Sequence, residues 1–174
     1  MKDEFTSSKT LLDRLTKLYQ IVIISGGISK GKKDFIPAIL DEIGLKCQFH
    51  GVAQKPGKPL GYWCNDTSSV FALPGNPLST LTCLHQYVIP ALNIASGKIL
   101  NNNRSVELSE ALVGVKNITT FLPVSVTTEN IATQCPCNNS GDLVKILSSD
   151  GYIELPPGAA HYPAGSSFIF NPWL

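Results

Sequence analysis

The chain has 174 residues, 43% of them hydrophobic and 16% charged, with a formal net charge of +1. This composition supplies a core for one ordinary domain or two small ones and excludes a disordered segment. The near-neutral balance gives no reason to expect nucleic acid; no apolar run reaches the about 18 residues that span a membrane, and MKDEFTSS lacks an apolar h-region, so a soluble cytoplasmic protein is expected.

Leu11, Leu12, Leu15 and Leu18 recur at helical spacing, and Ser7 or Ser8 is placed to cap a helix of roughly three turns. Ile21 to Ile24 form a short all-apolar run, the pattern of a strand buried on both faces of a parallel sheet. A glycine-rich turn follows. Phe35, Ile36, Ile39, Leu40 and Ile43 then mark a second amphipathic helix, with Pro37 in its first turn and Gly44 at its end. Cys47 to Ala53 reads as a strand. Residues 60–64 and 70–73 read as a hairpin around Asn65-Asp66. Asn76 is a candidate N-cap and Pro77 a first helical residue, with Leu78, Leu81, Leu84, His85 and Val88 on one face. Pro90 is expected to kink or end that helix.

Gly97 to Asn103 is a polar linker. Beyond it the short runs FLPVSV, LVKIL, GYIELP and SFIFNPW alternate with Asn, Gly, Ser and Pro, as in a small barrel. The expected division is therefore an α/β piece over residues 1–97 and an all-β piece over 98–174. The first holds ten Lys/Arg against seven Asp/Glu, the second four against six. The positive excess thus lies with the glycine turn, where a small anion is best received. The five cysteines are odd in number and fit no disulfide framework, and Cys135-Pro-Cys137 lacks the second pair of a zinc site. His50, His85 and His161 are too scattered to form a ligand set, and Trp63 and Trp173 read as core or barrel residues.

Three stretches could carry chemistry. SGGISKGKKDF, from Ser25, has the glycines of a phosphate loop but places Lys33 where a P-loop needs Ser or Thr for magnesium. A glycine-rich strand-to-helix turn still presents backbone N–H groups to an anion. Asp34 either caps the following helix or binds a metal that bridges phosphates. Lys55 and Lys58 flank one tight turn, which is either a solvated surface turn or a pair of ammonium groups gathered around an anion. LPGNP starts a helix and offers Ser79 in its first turn. No nucleophile–base pair is visible.

In this order, SGGISKGKKDF, FHGVAQKPGKPLGY, FALPGNPLST and SGDLVKILSSDGYIELPPG resemble the MoeA/gephyrin E-domain family, the molybdopterin molybdenumtransferases, over nearly the whole chain. The resemblance implies part of a MogA-like three-layer molybdopterin-binding α/β domain followed by a barrel-like fourth domain. It implies insertion of molybdate into adenylylated molybdopterin with Mg²⁺, releasing AMP. Ser25, Gly26, Gly27, Ser29 and Gly31 match the loop that meets the pterin phosphate and adenylyl part, and Asn76 falls in the matching LPGNP motif. Asp34 matches a catalytic, metal-proximal acid, and Asp3, with Glu4 beside it, a weaker acidic match. Lys55, Lys58 and Pro59 match the molybdate turn, and Ser79 and Ser140 match hydroxyls of the same oxyanion site. The implied partners are small molecules and, in the full-length protein, a second copy. Two departures stand out: the family's arginine near Pro123 is missing, and Gly51 replaces a lysine found in some members. The family also has two N-terminal domains and a first strand and helix ahead of residue 1. The alternative is accordingly a truncated, non-catalytic scaffold module of the same fold.

Overall fold

The computed structural model describes residues 2–28, 35–98, 104–135, 146–158 and 161–173. In chain order the first elements are α1 (Lys2–Leu18), β1 (Ile21–Ser25), α2 (Ile36–Glu42), β2 (Lys46–His50), β3 (Gln54–Lys55), β4 (Gly61–Cys64), β5 (Ser69–Leu73) and α3 (Pro77–Cys83). A π-helical turn (Leu84–Val88), α4 (Ile89–Ala95), β6 (Ser105–Leu108), β7 (Leu112–Val113), β8 (Thr119–Val126), β9 (Ile131–Gln134), β10 (Gly151–Leu155), β11 (His161–Tyr162) and β12 (Ser167–Pro172) follow. Two compact units result, one of Met1–Val52 with Gly57–Cys83, the other of Ala53–Pro56 with Leu84–Leu174.

In the first unit the strands lie in the order β1-β5-β4-β2. Only β1 and β5 run parallel; β4 is antiparallel to both β5 and β2. The parallel pattern read from the helix–strand alternation is found in β1 and β5, and the expected hairpin supplies the antiparallel pair β4–β5, so the sheet is mixed. The cause is short connections, which suit antiparallel neighbours. Asn65 Oδ1 accepts from the Thr67 and Ser68 N–H groups and folds β4 back against β5. Between β2 and β4 the chain closes on itself, with Gly51 N–H donating to Leu60 and Val52 N–H to Lys58. β2 accordingly stops at His50 rather than Ala53, and Gly51 turns the chain at φ +97°.

Leu12 of α1, Ile36, Ile39 and Leu40 of α2, Val22 of β1, Trp63 of β4 and Val70 of β5 form one buried cluster. Ile24 packs against it, whereas Ile23, which points to the other face, is 45% exposed. β1 is thus buried on one face only among the described residues. α1 begins at Lys2, ahead of the expected cap. The Ser7 and Thr10 hydroxyls donate back to the Glu4 and Thr6 carbonyls instead, an internal use of Ser and Thr that competes with capping. α2 ends as its sequence requires. Gly44 sits at φ +86°, its N–H donates to Asp41, and the Leu45 N–H donates to Leu40, a Schellman closure.

The second unit contains a closed five-stranded barrel. β10, β12, β6, β9 and β8 pair in turn, and β8 pairs again with β10. Inside lie Val106, Leu108, Val124, Ala132, Ile153, Leu155 and Phe170. The expected barrel is present. Of LVKIL, residues 143–145 lie outside the described residues, and Ile146 and Leu147 are helical. β3 runs parallel to β8, pairing Gln54 with Thr119 and Lys55 with Thr120. Pro90 neither ends nor breaks the helical path. A proline has no N–H for the carbonyl four residues back, and the wider π-helical turn just before it absorbs the mismatch. Among the described residues Cys47, Cys64 and Cys135 are free thiols, and Cys137 lies outside the described residues.

Burial holds the His85 imidazole below its ordinary value of 6.5, and its ring meets Trp173 edge-on at 5.2 Å. The folded state therefore binds this proton less readily than the unfolded chain does. His85 contributes stability that is whole above about pH 6.5 and is lost as the pH falls below it. Thermal melts between about pH 7.5 and about pH 5 should show a shallower decline in His85→Gln than in the wild type; equal declines would contradict the assignment.

Candidate functional site

Parallel pairing of β1 with β5 puts Ser25 beside Leu73, so the loops leaving these two strands start side by side. The first turns on Gly26 and Gly27, at φ +90° and +71°, where a side chain is strained. The second, Pro74-Gly75-Asn76, leads into α3. They are laced together. Gly26 N–H donates to the Leu73 carbonyl at 2.9 Å, and the Ser25 hydroxyl donates to the Pro74 carbonyl at 3.3 Å. The Thr80 hydroxyl donates to the Pro74 and Asn76 carbonyls. A Cβ on Gly75 would stand 3.3 Å from the Gly26 Cα, closer than an ordinary contact, so the approach of the two loops favours glycine at 75.

A cleft of about 370 Å³ opens here. Gly26, Gly27, Pro59, Asn76 and Ser79, all candidates from the sequence, line it together with Ile28, Pro74 and Gly75, which were not. The signal for Gly75 was available, since it sits inside LPGNP. That for Ile28 was not: its carbonyl is held by His50 Nε2 at 2.8 Å, a contact between residues 22 apart in sequence. Ser25 is placed next to the cleft, with its hydroxyl occupied in joining the loops. Asn76 corrects the expected cap. Its carbonyl takes the Thr80 N–H, but its side-chain Oδ1 is buried and makes no hydrogen bond to the described residues.

Lys58 is exposed and immediately precedes Pro59 of the cleft wall, while its carbonyl fixes the loop through Val52. Lys55 belongs to the second unit, exposed on β3 beside Gln54, whose side chain accepts a hydrogen bond from the Tyr87 hydroxyl. Neither lysine makes an ion pair among the described residues. Ser29, Gly31, Asp34 and Ser140 lie outside the described residues, as does the side chain of Asp3. Among the described residues no three His, Cys, Asp or Glu side chains gather as a metal site, and no helix is long and apolar enough to cross a membrane.

A glycine-loop α/β unit with a mixed sheet, followed by a closed barrel, is the architecture the geometry defines. The chain belongs to the family described as a probable molybdopterin binding domain, which matches residues 1–94, and residues 105–173 match the MoeA C-terminal region (domain IV). It is 38% identical over 161 residues to the molybdopterin molybdenumtransferase of Synechocystis sp., covering 89% of this chain and 39% of that protein. Against the molybdopterin molybdenumtransferase of Staphylococcus aureus it is 28% identical over 169 residues, covering 94% of this chain and 40% of that one. The solved molybdopterin biosynthesis moea protein from Pyrococcus horikosii superposes with a TM-score of 0.80 at 27% identity, over 97% of this chain and 41% of that one. The chain spans about two fifths of the length of the curated relatives it matches.

Proposed function

We propose that the chain takes part in molybdenum cofactor biosynthesis, as the part of a molybdopterin molybdenumtransferase that holds adenylylated molybdopterin and molybdate. The observation that carries this is the cleft made by two glycine loops, in a chain whose named relatives are molybdopterin molybdenumtransferases. In this reading Gly26, Gly27, Asn76 and Ser79 receive the phosphate and adenylyl part, with Ser25 holding the loops together and Ser29 and Gly31 continuing the first of them. Lys55, Lys58 and Pro59, with Ser140, receive molybdate. A doubly charged tetrahedral oxyanion is held by ammonium and hydroxyl donors through charge-assisted hydrogen bonds. Magnesium falls to Asp34 and Asp3. The described residues offer no cluster that fits a metal, so no step is routed through it. A homodimer and a cytoplasmic location belong to the same reading.

The test is AMP release from adenylylated molybdopterin in the presence of molybdate and magnesium. Asp34→Ala and Lys58→Ala should each lower the rate about 100-fold, the scale for losing a positioned electrostatic group. Wild-type rates in both would remove the site assignment. The second reading is a non-catalytic scaffold module of the same fold. Tight substrate binding by the 174-residue chain without AMP release would select it.

A further inference from the structure

Lys55 stands on β3, a strand of two residues, whose ladder to β8 pairs Gln54 with Thr119 and Lys55 with Thr120 and goes no further. Side chains alternate along a strand, so Gln54 is 4% exposed while Lys55 reaches solvent. The buried Gln54 amide spans its exposed neighbour. Its Nε2 donates to the Pro56 carbonyl at 3.0 Å, and its Oε1 accepts from the Tyr87 hydroxyl. Tyr87 belongs to the π-helical turn Leu84–Val88, where Gln86 accepts from the Tyr152 hydroxyl of β10 at 2.8 Å. One wide turn is thus bonded both to a barrel strand and to the segment that carries Lys55, all within the second unit.

We infer that Gln54, held by Tyr87, is the positioning residue of Lys55: it fixes the backbone on both sides of the lysine and so sets where the ammonium group meets an oxyanion. This rests on the reading of Lys55 as a molybdate lysine. Gln54 is buried and acts through its neighbour. A lysine stem is flexible, and a bound anion must order it. A fixed backbone removes part of that cost before the anion arrives. The role needs a side chain that accepts at one atom and donates at the other. An apolar side chain of the same length fills the same space but makes neither bond.

Calorimetric molybdate binding to the 174-residue chain tests this as a double-mutant cycle. Lys55→Ala should weaken molybdate about 30-fold, the scale of a hydrogen bond to a charged group. Gln54→Met and Tyr87→Phe should each weaken it about fivefold, and less than about twofold in the Lys55→Ala background. A residue that only stabilised the fold would lower the melting midpoint without this dependence on Lys55. Tyr87→Phe leaves Gln54 in place and carries the test should Gln54→Met not fold. Equal losses in the two backgrounds, or no loss in either, with molybdate still weakened by Lys55→Ala, would overturn the inference and leave the molybdate reading intact. Wild-type affinity in Lys55→Ala, or no molybdate binding by the wild type, would overturn both.

Discussion

Trp63→Ala is expected to cost the first unit about 3–5 kcal/mol, the range for removing a large buried aromatic. Trp63 is 1% exposed and stands in the cluster formed by α1, α2 and the sheet. Its Nε1 donates to Asp41 Oδ1 at 2.9 Å, and Gly61 lies so close beneath the ring that a Cβ there would come within 2.3 Å of it. The indole also carries His50, at a ring separation of 5.4 Å, and His50 in turn holds the Ile28 carbonyl. The loss should therefore appear as a lower denaturation midpoint. Trp63→Phe refills most of the hole without the N–H, and should lose well under half as much. A loss below about 1 kcal/mol for Trp63→Ala would show that the ring does not fill a close-packed site.

Gly151→Ala is expected to destabilise the barrel by about 3 kcal/mol, at the upper end of overpacking. Gly151 pairs with Val124 on one side and Pro172 on the other, where β10 closes the ring of strands. An added Cβ would meet the Asn171 backbone oxygen at 2.2 Å and the Phe170 ring at 2.7 Å. A flexible side chain could yield to such a contact; a strand backbone cannot, so β10 and β12 must separate locally. Phe170 belongs to the barrel core, which couples that separation to the interior. Hydrogen exchange of the β10 and β12 amides should accelerate together with a fall in the thermal midpoint. Unchanged exchange would mean that the ring closes elsewhere.

Local chemistry made much of the molecule legible in the sequence. The end of α2 was written in Gly44, because a left-handed residue closes a helix at little cost only when it is glycine. The β4–β5 hairpin was written in Asn65, whose side chain builds its own turn. The barrel's existence was legible in short alternating runs. Each of these signals acts over a few residues.

Tertiary structure decided what no local pattern encodes. The antiparallel pairing of β2 with β4 has no local mark, because a helix–strand alternation looks the same whether the next strand returns parallel or folds back. The two-residue strand β3 is specified only by its register with β8, more than sixty positions away. The close pairing of Gly26 with Gly75 and the bond from His50 to Ile28 likewise exist only once β1 and β5 lie side by side. Asn76 is the clearest case. Its sequence position marks a helix cap, because Asn before Pro commonly is one. In the fold its carbonyl accepts the Thr80 N–H, while its side-chain oxygen is buried and bonds to none of the described residues. Sequence alone determined which residues could meet an anion. Packing of distant segments determined which of them line one cleft, because burial and hydrogen-bond competition are set by neighbours in space.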